Sequence, residues 1–558
     1  MSELHDRHSG LSVLAMVAPV GASCLIISMK AADLLGVSSL AAVLTVAVLL
    51  AVGLVVIASG VRPHRVMALR VSGGEAVQLG ALALVSVALW ARALQRVLDT
   101  PVVYSVDPAR HVSLTAWIVE HQRLVHAVEP QLGGLSNYPP GAHVLAAIAT
   151  WVTRASPLAT TWLVAVGSVL ALLLLVIVIP GEVLADRNPV PGLVAVCLYL
   201  VAWRFTVGMV TYEFFFSQSV GLALSLGGVL AVVSGLRAGD AWWRWVPLAG
   251  VTGIASFLTY PQQAVVVPAV IAAGLWTAWR RTRSSFTPRN GVVAVAAIVA
   301  VSAGAVLVLR RSGYLSTGAF FGAGEGSVAT LSLARVGGWV PVVLVMWGIV
   351  AVLWSTVHRV PGALVVFTAL AVPVGMALGL WMLQHGFPVR APVTQYRIAK
   401  NVFTAVPLAA VVAGIGVGMI NVPRWARSRA VAFGAAVVTV LVPLQPRTMA
   451  NTRYPVVSRD AYDLAIWAGD RHDVTDIGLA GPDLEPFTLW IAGLRRPLDP
   501  DPAIVLLPFS TRWNAWPKGD TTEHYLLVSG KRLVARYAHR PGVKLVRRQG
   551  HAALFKRI

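Results

Sequence analysis

The sequence predicts an all-α polytopic membrane protein with about thirteen transmembrane helices and a small C-terminal α/β domain. Of its 558 residues, 57% are hydrophobic and only 12% are charged, and the mean hydropathy is +0.72. Soluble domains carry roughly 25% charged residues, so this chain has too little charge for a protein that folds in water. Apolar runs that can cross a hydrocarbon core of ~30 Å recur along it.

The predicted spans are separated by short polar loops or by turns. We place them at residues 11–29, 38–59, 74–95, 158–181, 190–208, 214–235, 245–260, 263–279, 292–310, 338–357, 361–383, 401–420 and 430–446. Residues 139–154 are also apolar, but they open on Pro139-Pro140, close on Pro157 and are too few to cross. We therefore expect a non-spanning helix there, at or above the outer membrane face.

Basic residues set the expected orientation. The formal net charge is +21, and much of the basic charge lies in short loops with arginines near residues 62–70, 237–244, 280–289 and 424–429. The positive-inside bias places these four loops in the cytoplasm. The tail 447–558 is also basic, but long domains cross a membrane largely regardless of charge. The protein would lie in the cytoplasmic membrane with its N-terminus inside and its tail outside. Its basic loops would meet membrane lipids, and we expect no nucleic-acid partner.

Two regions follow from this layout. Residues 1–446 form the predicted transmembrane domain, which includes a long outside loop at 96–157. Residues 447–558 are polar enough to fold in water, and short β-forming runs alternate there with helical stretches such as Asp460–Ala468. That alternation is typical of a small α/β domain. The runs are Asp476–Leu479, Ala503–Leu507, His524–Val528, Leu545–Arg547 and Ala552–Phe555.

The outside loop carries the most informative polar residues. Asp107 and His111 are four positions apart, so on a helix they share one face. A carboxylate beside an imidazole can act as a general base with its orienting partner, or as a pair of metal ligands. Alternatively, Asp107 caps a helix that begins at Pro108. The following stripe of Leu114, Trp117, Ile118 and Leu124 predicts an amphipathic helix.

The loop resembles that of the GT-C superfamily, the membrane glycosyltransferases that use polyprenyl-phosphate sugars. Their first outside loop has an acidic residue soon after a membrane helix and a Tyr-Pro-Pro segment before the next helix. Asp107 and Tyr138-Pro139-Pro140 match both parts, and the resemblance extends over residues 75–420. It implies that Asp107 is the catalytic base that deprotonates an acceptor hydroxyl, with inversion at the sugar. Asp99 is the second choice for this base.

The resemblance is incomplete in one respect. Many members place two acidic residues side by side in this loop, whereas Pro108 follows Asp107 here. A second pair of carboxylates that would hold a divalent ion is also missing from the sequence pattern. We therefore predict no metal and no other cofactor.

Two further segments contribute candidate substrate-binding residues at the outer side of the membrane. Glu213 lies in Tyr212–Gln218, where it would bind a sugar hydroxyl or remain a solvated residue of an aromatic belt. Tyr260 and Gln262 lie in a break between two apolar runs, which resembles a short hairpin near the active cavity of GT-C proteins. A plain helix-to-helix turn is the alternative.

The last candidates are polar residues of the outside loop before the twelfth span: Arg390, Tyr396, Arg397 and Lys400. Basic residues on the outer side run against the orientation rule. A guanidinium binds phosphate with two parallel hydrogen bonds, and a lysine adds a point charge. The resemblance implies that they neutralise the phosphate of the lipid donor. The alternative is that they bind lipid head groups.

The sequence thus predicts a glycosyltransferase that moves a sugar from a polyprenyl-phosphate donor to an envelope glycan or lipid acceptor outside the cell. The composition, rich in Ala, Val and Arg, is typical of high-GC bacteria such as actinobacteria, which suggests arabinofuranose or mannose as the sugar. A transporter or flippase of an anionic envelope precursor is one alternative, and a non-catalytic scaffold is another. Transporters often have inverted repeats and broken helices, and the sequence shows no such duplication.

Overall fold

The computed structural model describes the greater part of the chain. With a few gaps inside them, the described ranges are 10–37, 40–59, 73–87, 106–124, 138–185, 188–202, 205–211, 215–237, 243–281, 338–357, 360–387, 395–420, 459–480 and 524–558. The chain divides into two compact units, each treated by itself below: residues 1–90 with 164–446, and residues 91–163 with 447–558.

Helices dominate both units, and strands occur in the tail. In chain order the elements are α1 (Gly10–Leu34), α2 (Leu40–Ser59), α3 (Val106–His121), α4 (Gly141–Thr153), α5 (Pro157–Leu184), α6 (Val190–Val201), α7 (Val207–Thr211), α8 (Phe216–Arg237), α9 (Val246–Thr259), α10 (Pro261–Ala264), α11 (Val266–Arg281), α12 (Trp339–Val357), α13 (Ala363–Gln384), α14 (Gln395–Gly418), α15 (Arg459–Gly469), β1 (Ile477–Ala480), β2 (Tyr525–Ser529), α16 (Lys531–Ala538), β3 (Val543–Gln549) and β4 (Ala552–Arg557).

Seven helical stretches of the described part are long and apolar enough to cross a membrane. Each coincides with a span predicted from the sequence, which confirms a multi-pass membrane protein. They are Leu11–Leu34, Pro157–Leu184, Phe216–Arg237, Pro261–Arg281, Trp339–Thr356, Ala363–Gln384 and Arg397–Gly418.

The remaining predicted spans are shorter in the structure or are described only in part. The predicted span 190–208 is not one continuous helix, because α6 ends at Val201 and α7 begins only at Val207. Residues 76–84 of the predicted span 74–95 are helical. The predicted spans 292–310 and 430–446 lie outside the described residues.

Helix α8 is the centre of the membrane unit. Every residue from Phe216 to Leu236 is buried, which is typical of a helix surrounded by other helices. Small residues allow this close packing: a Cβ on Gly227 would lie 2.5 Å from the Pro19 side chain of α1. Hydroxyls add polar links, such as the 2.8 Å hydrogen bond between Ser225 and Ser256 of α9.

A buried ion pair joins three helix ends of the same unit. The Arg237 guanidinium, at the end of α8, donates to the Glu182 carboxylate at 2.8 Å, and the Ser12 hydroxyl of α1 donates to the same carboxylate. The Glu182 side chain is only 2% exposed. This contact puts the start of α1 and the ends of α5 and α8 on one side of the membrane, which agrees with the predicted alternation of spans.

Arg237→Ala tests how much this ion pair contributes to the stability of the protein. Removing one partner of a buried pair leaves the other charge uncompensated, which costs roughly 3–5 kcal/mol, so we expect a clear fall in the melting temperature of the detergent-purified protein. Arg471→Ala is the control, since both partners of the Arg471–Asp473 pair are exposed and surface ion pairs add little to stability. Equal melting temperatures for the two variants would contradict a structural role of the buried pair.

In the second unit, the described part of the loop at 96–157 contains the two helices that its sequence predicts. Leu114, Trp117 and Ile118 are buried on α3, which confirms the amphipathic helix. Leu124 is buried as well, but it follows the end of the helix at His121 and is not part of a helical stripe. Helix α4 follows Pro139-Pro140 and ends where Arg154 adopts a left-handed conformation with φ 58°. Its 13 residues are too few to cross a bilayer, in agreement with the non-spanning helix expected there.

The described residues of the tail form a four-stranded sheet in the order β1-β2-β4-β3. Strand β1 is parallel to β2, and the pairs β2–β4 and β3–β4 are antiparallel. Helix α16 packs on one face of the sheet, where Tyr537 and Val534 meet Phe555 and Val528 in a small core. The predicted α/β character of the tail is therefore confirmed, although the run Ala503–Leu507 lies outside the described residues.

Candidate functional site

The loop helix α3 carries the proposed catalytic pair. It begins at Val106, so Asp107 lies in its first turn rather than before a helix that starts at Pro108. His111 follows one turn later on the same helix, as the sequence predicts. The Asp107 side chain lies outside the described residues, and its assignment as base stays a prediction.

His111 lies in a cluster of three rings that joins α3 to the start of α4. Its Nδ1 is 2.8 Å from Nε2 of His143, and the two imidazoles are nearly parallel, with 5.0 Å between ring centroids. Tyr138 meets both rings edge-on, at 5.2 Å from His111 and 5.7 Å from His143. Both histidines are buried. The predicted residues His111 and Tyr138 are thus in contact, and His143 is their unpredicted neighbour.

The cluster has an electrostatic consequence for His143. Its side chain is fully buried, and this burial together with the nearby charge of His111 holds the pKa of His143 well below its usual range. The backbones of Pro139 and Pro140 act in the opposite direction and raise the pKa. Burial is the largest of these effects, so the pKa is lowered on balance. His143 is therefore a neutral imidazole at pH 7.

Threonine hydroxyls fix the helices around this cluster. Thr115 donates to the His111 carbonyl at 3.0 Å, and Thr161 of α5 donates in turn to the Thr115 hydroxyl at 3.2 Å. Thr150 of α4 and Thr160 of α5 form a second hydroxyl pair at 2.6 Å. These buried contacts hold α3 and α4 against the first turns of α5, so the imidazoles lie on a rigid support.

A second group of predicted residues lies at the start of α14, in the membrane unit. Arg397 is buried to 8% exposure, and Lys400 follows one turn later. The Lys400 ammonium lies over two aromatic rings, 5.3 Å from the centroid of Phe215 and 5.5 Å from that of Tyr260. Each such contact contributes about 0.5–2 kcal/mol, and together they hold the charge at a defined place.

Two buried glutamines attach this part of α14 to its neighbours. The Gln218 amide of α8 donates to the Lys400 carbonyl at 2.7 Å, and the Gln263 amide of α10 donates to the Thr404 hydroxyl at 3.1 Å. The Thr404 hydroxyl donates back to the Lys400 carbonyl at 3.2 Å. The cationic turn of α14 is thereby held from two sides.

The hairpin around α10 contributes to this group, as its sequence suggested. Tyr260 is 6% exposed and donates its hydroxyl hydrogen to the Gln262 side chain at 3.1 Å. Gln262 is half-buried. It therefore orients Tyr260, whereas Gln263 is the residue that contacts α14. Gly221 makes room for the hairpin: a Cβ there would lie 2.8 Å from Gln263 Oε1 and 2.9 Å from Tyr260 Cβ.

Several predicted residues remain without a described position. Glu213, Arg390 and the competing Asp99 lie outside the described residues, and so does the side chain of Tyr396. Among the described residues, no group of three or more His, Cys, Asp or Glu side chains could hold a metal ion. The expectation of a metal-free protein stays a prediction.

His143, Gln218, Gln263 and Thr404 were not among the predicted site residues. For His143 a signal existed, because it lies two residues into the helix that follows the Tyr-Pro-Pro segment. The other three are neutral polar residues in apolar runs, and such residues are usually turned toward other helices. Gln263 and its partner Thr404 are 141 positions apart, and Gln218 and its partner Lys400 are 182 positions apart. No local sequence pattern reveals contacts at that separation.

Comparisons with known proteins were made by sequence and by structure. No protein-family model matches the chain, and no curated protein matches it by sequence. Among solved structures it is similar to ArnT from Cupriavidus metallidurans in the apo state, with 15% identity and a TM-score of 0.50 over 86% of this chain and 97% of ArnT. ArnT bound to undecaprenyl phosphate gives 14% identity and 0.49, over 85% of this chain and 97% of ArnT.

Two further matches are weaker. The Archaeoglobus fulgidus oligosaccharyltransferase gives 14% identity and a TM-score of 0.46, over 81% of this chain and 69% of that one. The mycobacterial arabinofuranosyltransferase AftD gives 12% identity and 0.45, over 85% of this chain but only 39% of that one. All three proteins are GT-C superfamily glycosyltransferases. The likeness to ArnT in the apo state shows the fold alone: this chain folds as ArnT does.

Gly221→Ala tests whether α8 and the α10 hairpin need their close contact. The new methyl group would force Gln263 and Tyr260 to move, and overpacking of this kind costs typically 1–3 kcal/mol. We therefore expect a lower melting temperature in detergent. Gly250→Ala on α9 is the matched control, because nothing lies within 4 Å of a Cβ there and alanine favours the helix. If Gly221→Ala melted at or above the temperature of Gly250→Ala, the tight contact would be refuted.

Proposed function

We propose that the protein is a membrane glycosyltransferase that moves a sugar from a polyprenyl-phosphate donor to an extracytoplasmic envelope acceptor. The observation that carries this proposal is the cationic turn of α14, where Lys400 is fixed against two aromatic rings and Arg397 is buried beside it. The GT-C fold, shared with an enzyme also solved with undecaprenyl phosphate, supports the same reaction.

Lys400 and Arg397 have the chemistry that a departing lipid phosphate requires. An ammonium offers three N–H donors and a guanidinium five, and neither accepts a hydrogen bond. Their charges stabilise the negative charge that grows on the phosphate oxygen as its bond to the sugar breaks. Fixing Lys400 in advance lowers the cost of ordering it when the donor binds.

Asp107 is the proposed general base. Its carboxylate takes the proton of an acceptor hydroxyl, the hydroxyl oxygen attacks the anomeric carbon, and the lipid phosphate leaves from the opposite face with inversion. His111, one turn along the same helix face, orients this carboxylate. Tyr260, Glu213 and Tyr396 are proposed to bind sugar, and Arg390 and Gln262 to complete the substrate-binding set. The sugar is proposed to be arabinofuranose or mannose.

The membrane and the orientation are also part of the proposal. We place the chain in the cytoplasmic membrane with its N-terminus inside and residues 447–558 outside as a separate domain. The buried Arg237–Glu182 pair supports this arrangement, since the helix ends it joins are all assigned to the cytoplasmic side. The starts of α8 and α14, which Gln218 joins, are both assigned to the outer side, where a flipped lipid donor is available.

Transfer of labelled sugar by the purified protein tests the function. The protein in detergent is offered a panel of polyprenyl-phosphate sugars and envelope-derived acceptors. We expect Asp107→Asn to lower kcat by about 100-fold or more, since general-base catalysis contributes 10²–10⁴. Lys400→Met keeps the packing against the rings but loses the charge, and we expect a loss of similar size because one transition-state contact is worth about 10²–10³.

Arg244→Ala is the control for loss of a basic residue, because Arg244 stacks on Trp243 at 5.6 Å as an interfacial anchor. It should transfer sugar at the rate of the wild type. Full activity of Asp107→Asn would refute the base assignment and direct attention to Asp99 or Glu213. Absence of transfer from every donor would favour a flippase of an anionic precursor or a non-catalytic scaffold.

A separate prediction concerns metal. Since the outside loop has one carboxylate at the predicted position and two cations are assigned to the phosphate, transfer should need no divalent ion. We expect the initial rate to be unchanged after dialysis against EDTA. A rate that collapses with EDTA and returns with Mg²⁺ or Mn²⁺ would show that the phosphate is bound through a metal.

A further inference from the structure

We propose that one edge of the sheet in the tail is a docking surface for anionic lipid head groups, which holds the tail at the membrane surface. The docking surface consists of residues 544–548 of β3 and Lys556 of β4, and it is called the basic edge below. The transfer reaction gives these residues no role, so this inference stands apart from the proposed function.

The positive charge of the tail is unevenly distributed along the sequence. Residues 447–523 contain 11 acidic and 8 basic residues, whereas residues 524–558 contain 9 Lys and Arg residues and no acidic residue. A block of one sign in a folded domain favours a partner of the opposite sign. The nine basic residues are Lys531, Arg532, Arg536, Arg540, Lys544, Arg547, Arg548, Lys556 and Arg557.

Strand β3 places part of this block at the rim of the sheet. Among the described strands, β3 pairs with β4 alone, so it is an outer strand. Every residue of 544–548 is exposed. Lys556 continues the surface on β4, where it lies directly opposite Lys544. Like charges at directly opposite positions are destabilising, and an anion bound between the two ammonium groups would remove that cost.

The basic edge also exposes two apolar side chains. Leu545 is 46% exposed and Val546 is 39% exposed. Val546 lies at a bulge, because the register with β4 shifts between Leu545 and Arg547. Exposed apolar residues among cations are typical of a surface that lies on a membrane, since the apolar groups enter the head-group region while the cations meet lipid phosphates. A soluble acidic glycan would bind the cations but leave the apolar groups in water.

A tryptophan supports the arginine at the middle of the basic edge. The Arg547 guanidinium lies 4.6 Å from the ring centroid of Trp467, a half-buried residue of α15. The Arg471 guanidinium lies 5.0 Å from the same centroid. These cation–π contacts hold two positive charges at defined places. Tryptophan is also the aromatic residue that, with tyrosine, is enriched where proteins meet the head groups of a membrane.

The acidic residues of the described tail leave this charge uncompensated. Asp473 pairs with Arg471 at 2.9 Å. Asp460 and Asp463 accept hydrogen bonds at the far end of β3, beyond residue 548. Among the described residues, the cations of the basic edge therefore form no ion pair with a carboxylate.

The alternative is that these charges only keep an exposed strand from pairing with another chain, as lysines on outer strands often do. That role needs charge on β3 itself. It gives no reason for the second lysine, Lys556, behind the strand or for the exposed pair Leu545 and Val546.

The test places a reporter on the basic edge of the full-length protein. Cys24 and Cys197, which lie in α1 and α6, are replaced by alanine. Val546→Cys is then labelled with a nitrobenzoxadiazole dye, whose emission rises when the dye leaves water. The labelled protein is placed in nanodiscs of phosphatidylcholine alone or of an equal mixture with phosphatidylglycerol. We expect emission about twofold higher or more in the anionic discs, and loss of this gain at about 1 M salt, where charges are screened within ~3 Å.

Two matched double variants locate the docking surface. Lys544→Gln/Arg548→Gln removes one lysine and one arginine from the basic edge and leaves the contact with Trp467 in place. Lys531→Gln/Arg536→Gln removes the same charge from exposed residues of α16. We expect the first variant to lose most of the emission gain and the second to keep it. A melting curve for each variant shows that it is folded.

Equal emission in the two lipid compositions would overturn the proposal. Equal losses in the two double variants would also overturn it, because the reporter would then respond to net charge rather than to the basic edge. Soluble polyphosphate added to the neutral discs tests the competing partner. A change in emission with polyphosphate and none with anionic lipid would show that the edge binds an acidic polymer instead of a membrane. These measurements need no sugar transfer, so they give an answer even if the proposed function fails.

Discussion

The place of Lys400 in the membrane unit depends on one buried hydrogen bond, from the Gln218 amide to the Lys400 carbonyl at 2.7 Å. Gln218 lies on α8, which is buried along nearly its whole length, so the cationic turn of α14 is attached to the helix at the centre of the bundle. A polar group in such surroundings is costly unless it is bonded. The Lys400 carbonyl accepts from both Gln218 and Thr404, and these two contacts fix the position of Lys400.

The aromatic rings around Lys400 follow from the same packing. Phe215 precedes α8 by one residue, and Tyr260 is brought against α8 because Gly221 has no side chain. Phe215 also packs edge-on against Phe403 of α14, with 5.0 Å between centroids. The ring faces hold the Lys400 ammonium, and the hydrogen bonds to its carbonyl hold its backbone. The positive charge therefore has a defined position before any ligand binds. A site for a phosphate group on a mobile lipid benefits from such preorganisation.

In the second unit, a different kind of polar network holds the helices in place. Threonine hydroxyls join α3, α4 and α5, and two imidazoles share a hydrogen bond in the space between α3 and α4. None of these groups carries a permanent charge, so their burial is tolerated without an ion pair. The loop is thus an ordered support for Asp107 and His111 rather than a simple connection between spans.

Much of the fold could be predicted from the sequence, because span length, loop charge and helix-starting prolines are local signals. The stripe of Leu114 and Trp117 and the proline start of α4 belong to this group, as do most strands of the tail. Helix α16 is too short for a reliable periodic signal, and only Val534 and Tyr537 mark its buried face. The break after α6 carries no proline or glycine between Val201 and Val207, so sequence rules give no reason for it.

The candidate site was predictable only where charge or an aromatic ring marked it. Arg397 and Lys400 stood out because basic residues are unusual at an outer loop, and Tyr138 because of the prolines after it. Gln263 and His143 act through partners on other elements, at contacts that depend on how whole helices pack. Such contacts follow from the fold rather than from any spacing along the chain.

The central claim is that Lys400 binds the phosphate of a lipid donor. The most direct test is native mass spectrometry of the purified protein with undecaprenyl phosphate and, in parallel, with undecaprenol, which lacks the phosphate. The account predicts that the wild type and Arg244→Ala retain the phosphate-bearing lipid, and that Lys400→Met binds it as weakly as it binds the alcohol. Equal retention of the two lipids by the wild type, or undiminished binding by Lys400→Met, would contradict it.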